Sequence, residues 1–292
     1  MGTFLSCFLQ VLLLTCGPSL IFAVALSFCR ALFVLLAGEE HRRFLLVALA
    51  PSTPLRELGH ALFAILFFHR VTDARFLDLH DPDGELGYVE HSYNPRNPVA
   101  ILGNFFYLLG PLVIELFAVY SVYWICFGRV MIDFRADLAA IAEAGGGFAD
   151  YFRASLTLPA AMFRADVAIP LKILGAVLLL LLCMGLFVTI RDLLDSLTGI
   201  AVYAGLAALA AAVLSLFDGR VRGAVIDGLR AFAVNVTALW LAAFLAVAVW
   251  LVMGALLWLF RVLFGGRAEP ETTTALQEYR GEEDERYPDT RP

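Results

Sequence analysis

From Leu229 to Phe264 the chain runs through 36 residues whose only charges, Arg230 and Arg261, sit near the two ends. A helix crosses the hydrocarbon core of a bilayer with about 20 mostly apolar residues. This run is longer than one crossing needs, so it predicts a tilted span or one that leaves the bilayer at an end. Five further regions have spanning character: Thr3 to Leu36, Phe44 to Phe68, Val99 to Phe127, Val167 to Ile190 and Leu197 to Phe217. Hydrophobic residues make up 61% of the 292, and charged residues only 16%. A soluble domain of this size has too little interior to hide that much apolar surface. The composition therefore excludes a soluble enzyme, a disordered protein and a coiled coil. The expected fold is all-α and transmembrane, with about six spanning helices in a polytopic domain over 1–264. The stretch 265–292, with eight acids and four Arg, reads as a disordered acidic tail.

The connections add detail. The first region carries no charge ahead of its apolar run, which is too long for a cleaved signal peptide, so it reads as a retained anchor. Gly17-Pro18 should kink it or split off a short piece. Arg75 to His80 alternates in polarity and Leu86 to His91 does so more loosely, with a turn signal at Asp81-Pro82-Asp83-Gly84. Two short strands in a β-hairpin after the second span fit this pattern. Gly128 to Asp166 predicts one or two interfacial amphipathic helices broken at Gly145-Gly146-Gly147. Counting Arg in the connections of a six-span chain places both termini outside. The net charge of −6 lacks the basic footprint of a nucleic-acid binder. The lipid bilayer is the expected partner. Trp240, Trp250 and Trp258 suit lipid-facing or interfacial anchoring. The five Cys have no metal or disulfide spacing and read as small buried hydrophobes.

Chemistry concentrates at Thr53-Pro-Leu-Arg-Glu-Leu-Gly-His60. Ionisable residues within a span are functional candidates by default. In a helix, Arg56 and His60 share a face, with Glu57 beside them. A His at position 56 would complete HExxH, in which two His hold zinc and the Glu activates its water. Glu115, within the third region, is expected to face the bundle and bond to a neighbour. Asn104 reads as an interhelical amide or as a residue positioning a substrate strand.

Pro54-Leu-Arg-Glu-Leu-Gly-His-Ala-Leu-Phe63 resembles the active-site helix of membrane-embedded zinc metallopeptidases of the site-2-protease type. More closely, it is similar to a bacterial membrane group with HExxH, GYVxHSYN and GNFF motifs. That resemblance continues through Leu86-Gly-Tyr-Val-Glu-His-Ser-Tyr-Asn-Pro95 and Gly103-Asn-Phe-Phe-Tyr-Leu-Leu-Gly-Pro-Leu112, and more faintly at Ile190 to Gly199. The metallopeptidase-like part would span about 44–199. The resemblance implies that Glu57 is the general base, that His60 is a zinc ligand and that Asp192, with Asp195 second, supplies the later carboxylate. It also implies that Gly110-Pro111 forms a helix break admitting substrate. The substrate would be a transmembrane protein, and the setting a bacterial cytoplasmic (inner) membrane.

Arg56 departs from the pattern. A guanidinium stays protonated and has no lone pair to give a metal. Three uses of the motif remain open. Zinc could be held by His60, Asp192 and a rescuing His91, with hydrolysis retained. Alternatively, Arg56 could pair with Glu57, Asp192 or Asp195 in a degenerate site, which physics favours because membrane charges are normally paired. Arg56 could also hold a lipid phosphate. Weakened or lost hydrolysis is expected, with a non-catalytic scaffold for transmembrane segments or lipid as a further alternative.

Overall fold

The apolar runs fold as helices. The computed structural model describes residues 2–38, 48–79 and 86–264. The turn at Asp81 to Gly84, the connection containing Arg42 and Arg43, and the acidic tail lie outside these residues. In chain order the elements are α1 (Gly2–Thr15), α2 (Gly17–Ala37), α3 (Thr53–Leu66), β1 (Arg70–Arg75), β2 (Tyr88–Ser92), α4 (Pro98–Phe127) and α5 (Val130–Glu143). There follow α6 (Phe148–Arg164), α7 (Ile169–Cys183), α8 (Ile190–Asp195), α9 (Leu197–Leu216) and α10 (Gly219–Phe264).

Among the described residues, four helices are long and apolar enough to cross a membrane: α2, α4, α9 and α10. α1 and α7 are apolar but shorter. α3 has 14 residues, about 21 Å of helix against a hydrocarbon core of about 30 Å. The chain is thus a helical membrane protein, and among the described residues four of the six expected regions contain a helix long enough to cross on its own. The first region divides at Cys16, as Gly17-Pro18 predicted, because Pro18 is tolerated only in the first turn of a new helix.

α2 and α10 lie side by side. Trp240 stacks on Phe22, its Nε1 donates to Ser19, Phe33 packs edge-on to Trp250, and Arg261 donates to the Leu36 carbonyl. These partners ascend together in both helices, so the two run in the same direction. Six full alternating crossings would set the first and last helices antiparallel, so the expectation of both termini on one face does not fit this arrangement. The same contacts correct the reading of the tryptophans. Trp240 and Trp250 are core residues at 0% and 5% exposure, and of these three only Trp258 is open.

The hairpin forms, but its first strand starts five residues earlier than the pattern suggested. β1 takes Arg70–Arg75 rather than Arg75–His80, and pairs antiparallel with β2 from Arg70↔Ser92 to Arg75↔Tyr88 with an irregularity at Thr72. Phe68, at φ +62, reverses the chain directly after α3 and starts the strand early. The expected glycine break holds. Gly145, at φ +71, ends α5, and α6 begins at Phe148.

α4 is the axis of the molecule, flanked by α3, α7 and α9. α3 meets it through an exchange of glycines. A methyl on Gly59 would stand 2.6 Å from the Pro111 backbone, and one on Gly110 would stand 2.6 Å from the Gly59 carbonyl. α4 continues unbroken through Gly110 and Pro111. The helix break that the resemblance implied is therefore absent, and these two residues serve close helix packing instead. Asn104 Nδ2 donates to Thr198 Oγ1 at 3.2 Å, joining α4 to α9 as an interhelical amide.

Candidate functional site

α3 opens with Thr53 and Pro54 in its first turn, where proline costs no helical hydrogen bond. One turn on, Arg56, Glu57 and His60 face a cavity of about 750 Å³. Arg30 of α2, His91 of β2 and Tyr107 of α4 also line it. Phe187, Asp192 and Asp195 complete the wall from the segment around α8. Glu57 and His60 are each 4% exposed. The i, i+4 face predicted from the sequence is the face that meets the cavity.

Arg56 and Asp192 form an ion pair across the cavity. Arg56 Nη2 donates to Asp192 Oδ2 at 2.9 Å, with the two side chains 17% and 19% exposed. Asp192 also builds its own helix. Its carboxylate accepts from the Thr189 N–H at 3.0 Å, and its N–H donates to Thr189 Oγ1 at 3.0 Å, a reciprocal cap on α8. Burial alone would push the Asp192 carboxyl upward. Arg56 and the hydrogen bonds from Thr189 outweigh this and hold it below its ordinary value. Asp195 is more open and lies 3.9 Å from Arg191.

His60 packs on Tyr107 at 4.3 Å between ring centroids, and His91 packs on the same ring at 4.2 Å. The stack continues to His69, 4.9 Å from His91, and from there to Tyr93 at 5.0 Å. Tyr107 Oη donates to the Val89 carbonyl at 3.0 Å and so fastens the hairpin over α3 and α4. Because the chain turns at Phe68, His69 leaves the helix path and donates from Nε2 to the Ala100 carbonyl at 2.7 Å. Burial, and then the neighbouring His69, push His91 down to about 4. His60 Nδ1 is buried with no hydrogen-bond partner.

The predicted residues Arg56, Glu57, His60, His91, Asp192 and Asp195 thus border one cavity. Asn104, Gly110 and Pro111 do not, and instead hold helices together behind it. The donors that the resemblance assigns to zinc have other contacts here. Asp192 Oδ2 is committed to Arg56 and to the α8 cap, and His60 and His91 each face Tyr107. Among the described residues, no three His, Cys, Asp or Glu side chains are grouped to hold a metal ion. A catalytic zinc needs three protein ligands.

No protein-family model, curated protein or solved structure matches the chain.

Arg30, Tyr107 and Phe187 are among the cavity residues that the sequence reading did not single out. Arg30 carried a usable signal, as the one charge within the α2 run. Tyr107 lay within the Gly103 to Leu112 motif but had no role assigned, and Phe187 carried no signal, since aromatic residues are ordinary in such runs. Glu115 was expected to face the bundle and bond to a neighbour. It is 0% exposed, but neither carboxyl oxygen has a hydrogen-bond partner. It sits behind Gly185 and Ser52, and a methyl on Gly185 would collide with both.

Proposed function

We propose that this protein is a non-hydrolytic membrane protein built like a site-2-protease-type metallopeptidase. In this reading the centre has been converted from metal binding to ion pairing. The observation that carries the reading is the Arg56–Asp192 contact at 2.9 Å. A guanidinium stands at the position the motif reserves for a first His, and it occupies the carboxylate that the resemblance assigns to the metal. One fixed cation thereby compensates Asp192 in a site of low exposure, where an unpaired carboxylate would be costly. Glu57 and His60 remain on the cavity face, buried beside the Arg56–Asp192 pair. The cavity then serves to bind transmembrane segments or lipid in a bacterial cytoplasmic membrane.

The test is metal content by mass spectrometry on protein purified in detergent, beside Arg56→His and His60→Ala. The expected result is no zinc in the unaltered protein and a gain of zinc in Arg56→His. Near-stoichiometric zinc in the unaltered protein that disappears in His60→Ala would overturn the reading and restore Glu57-dependent proteolysis as the function to seek.

A further inference from the structure

Two guanidinium groups share the ring of Phe187. Arg30 lies 3.6 Å and Arg56 4.3 Å from its centroid. Like charges brought so close require anionic compensation; Arg30 feels the buried Glu115 without contacting it, and only Arg56 has a direct ion pair. Arg56 is paired with Asp192. Among the described residues, Arg30 has neither an ion pair nor a hydrogen bond, and its Nε is buried without a partner. The attraction of an aromatic face is much weaker than an ion pair. A charge in the interior of an apolar helix is retained when it has a partner, and Arg30 borders an open cavity rather than a protein acceptor.

From these observations we infer that Arg30, with Arg56 beside it, forms a phosphate-binding site at this end of the cavity. The acids that face the same space are placed elsewhere. Asp192 is engaged by Arg56, Asp195 lies beside Arg191, Glu57 sits next to Arg56 on α3 and Glu90 is exposed on β2, while Glu115 lies outside the lining, buried behind Gly185. The missing counter-charge is therefore that of Arg30. A phosphate oxyanion supplies several acceptor oxygens and can accept from two guanidinium groups at once, which is the arrangement the shared ring holds ready. The first turn of α3, which borders the cavity at Ser52 and Thr53, adds the positive end of a 14-residue helix. The phosphate could belong to a phospholipid headgroup or be free in solution, and both present the same chemistry. The inference rests on Arg30 and holds whether or not the centre is hydrolytic.

The experiment uses the full chain in a phosphate-free maltoside detergent. Binding of inorganic phosphate and of a short-chain phosphatidylglycerol is measured by calorimetry, and the lipid adduct is weighed by native mass spectrometry. Arg30→Met is expected to weaken binding by about tenfold or more, as loss of a charge-assisted hydrogen bond does. Arg30→Lys should retain part of it. Lipid binding that inorganic phosphate does not displace identifies the headgroup as the source, and displacement identifies free phosphate. If Arg30→Met loses its native melt, Arg30→Gln takes its place. Absence of binding of either probe up to about 10 mM, or unchanged affinity without the Arg30 charge, would overturn the inference. Zinc found in a protein that still binds phosphate through Arg30 would overturn the proposed function alone.

Discussion

The Arg56–Asp192 pair makes a quantitative claim that a double-mutant cycle can check. The charged atoms are 2.9 Å apart and the side chains 17% and 19% exposed. At an effective dielectric of about 20, unit charges at that spacing attract by roughly 6 kcal/mol, much of which is offset by desolvation. A charge-assisted hydrogen bond that survives this offset contributes about 1.5–3 kcal/mol. Arg56→Gln leaves the Asp192 carboxylate still accepting from the Thr189 N–H, so its cost should fall below the roughly 3–5 kcal/mol of a fully buried orphaned charge. Asp192→Asn removes the charge and leaves Arg56 with Phe187. Each single variant is expected to lose about 2 kcal/mol, the double variant little more than either, and the coupling energy to be about 1.5–2 kcal/mol. Unfolding in mixed micelles, followed by fluorescence of the buried Trp240 and Trp250, provides the assay. Additive losses, with coupling under about 0.5 kcal/mol, would mean that the contact contributes nothing and that Arg56 sits there for another reason.

Two further outcomes are expected. Gly59→Ala should destabilise by about 1–3 kcal/mol, since its methyl meets the Pro111 backbone at 2.6 Å. Gly205→Ala, with nothing within 4 Å of the new methyl, should gain up to about 1 kcal/mol from helix propensity; equal melting temperatures for the two would refute the close packing of α3 on α4. In the hairpin, Tyr88 Oη donates to Asp73 Oδ2 at 2.6 Å. This bond, followed by the Ala74 N–H, holds the Asp73 carboxyl below its ordinary value. A lowered carboxyl means that the contact contributes above the ordinary value of about 4 and is lost as pH falls through the lowered one. Tyr88→Phe should move the Asp73 carboxyl-carbon titration upward by NMR, and an unchanged midpoint would sink the assignment.

The sequence made the helices legible because apolar runs and their breaks are local. Gly17-Pro18 and Gly145 to Gly147 punctuate the chain where their backbone chemistry says they should. The cavity face of α3 followed from a spacing of four residues. What escaped depends on distant partners. That Trp240 is core rather than lipid-facing is decided by α2, more than 200 residues earlier. The early start of β1 follows from one residue, Phe68, taking a positive φ that its type does not announce. The resemblance implied a helix break at Gly110-Pro111, yet the helix passes through, and Gly59 gives the two backbones room to meet. Arg30 was the avoidable miss, since the rule that singled out Arg56 applies to it equally.

Asp192 joins two levels of structure, and this can be tested through a residue that touches neither cation. Thr189 and Asp192 cap α8 reciprocally, and the same carboxylate oxygen that accepts from Thr189 accepts from Arg56. A six-residue helix has too few internal hydrogen bonds to hold its own geometry, so the cap orients the carboxylate toward the cavity. Thr189→Val keeps the shape and deletes the hydroxyl acceptor, at a cost of about 0.5–2 kcal/mol for the cap itself. If the cap aims Asp192, the coupling between Arg56 and Asp192 should shrink in the Thr189→Val background. If coupling is unchanged while the cap cost is still lost, the ion pair orients itself, and α8 follows from the pair rather than the pair from α8. The order matters for the origin of the site. A carboxylate positioned by its own helix cap is available to whatever cation the neighbouring helix presents, and a change at position 56 alone can then alter which cation that is.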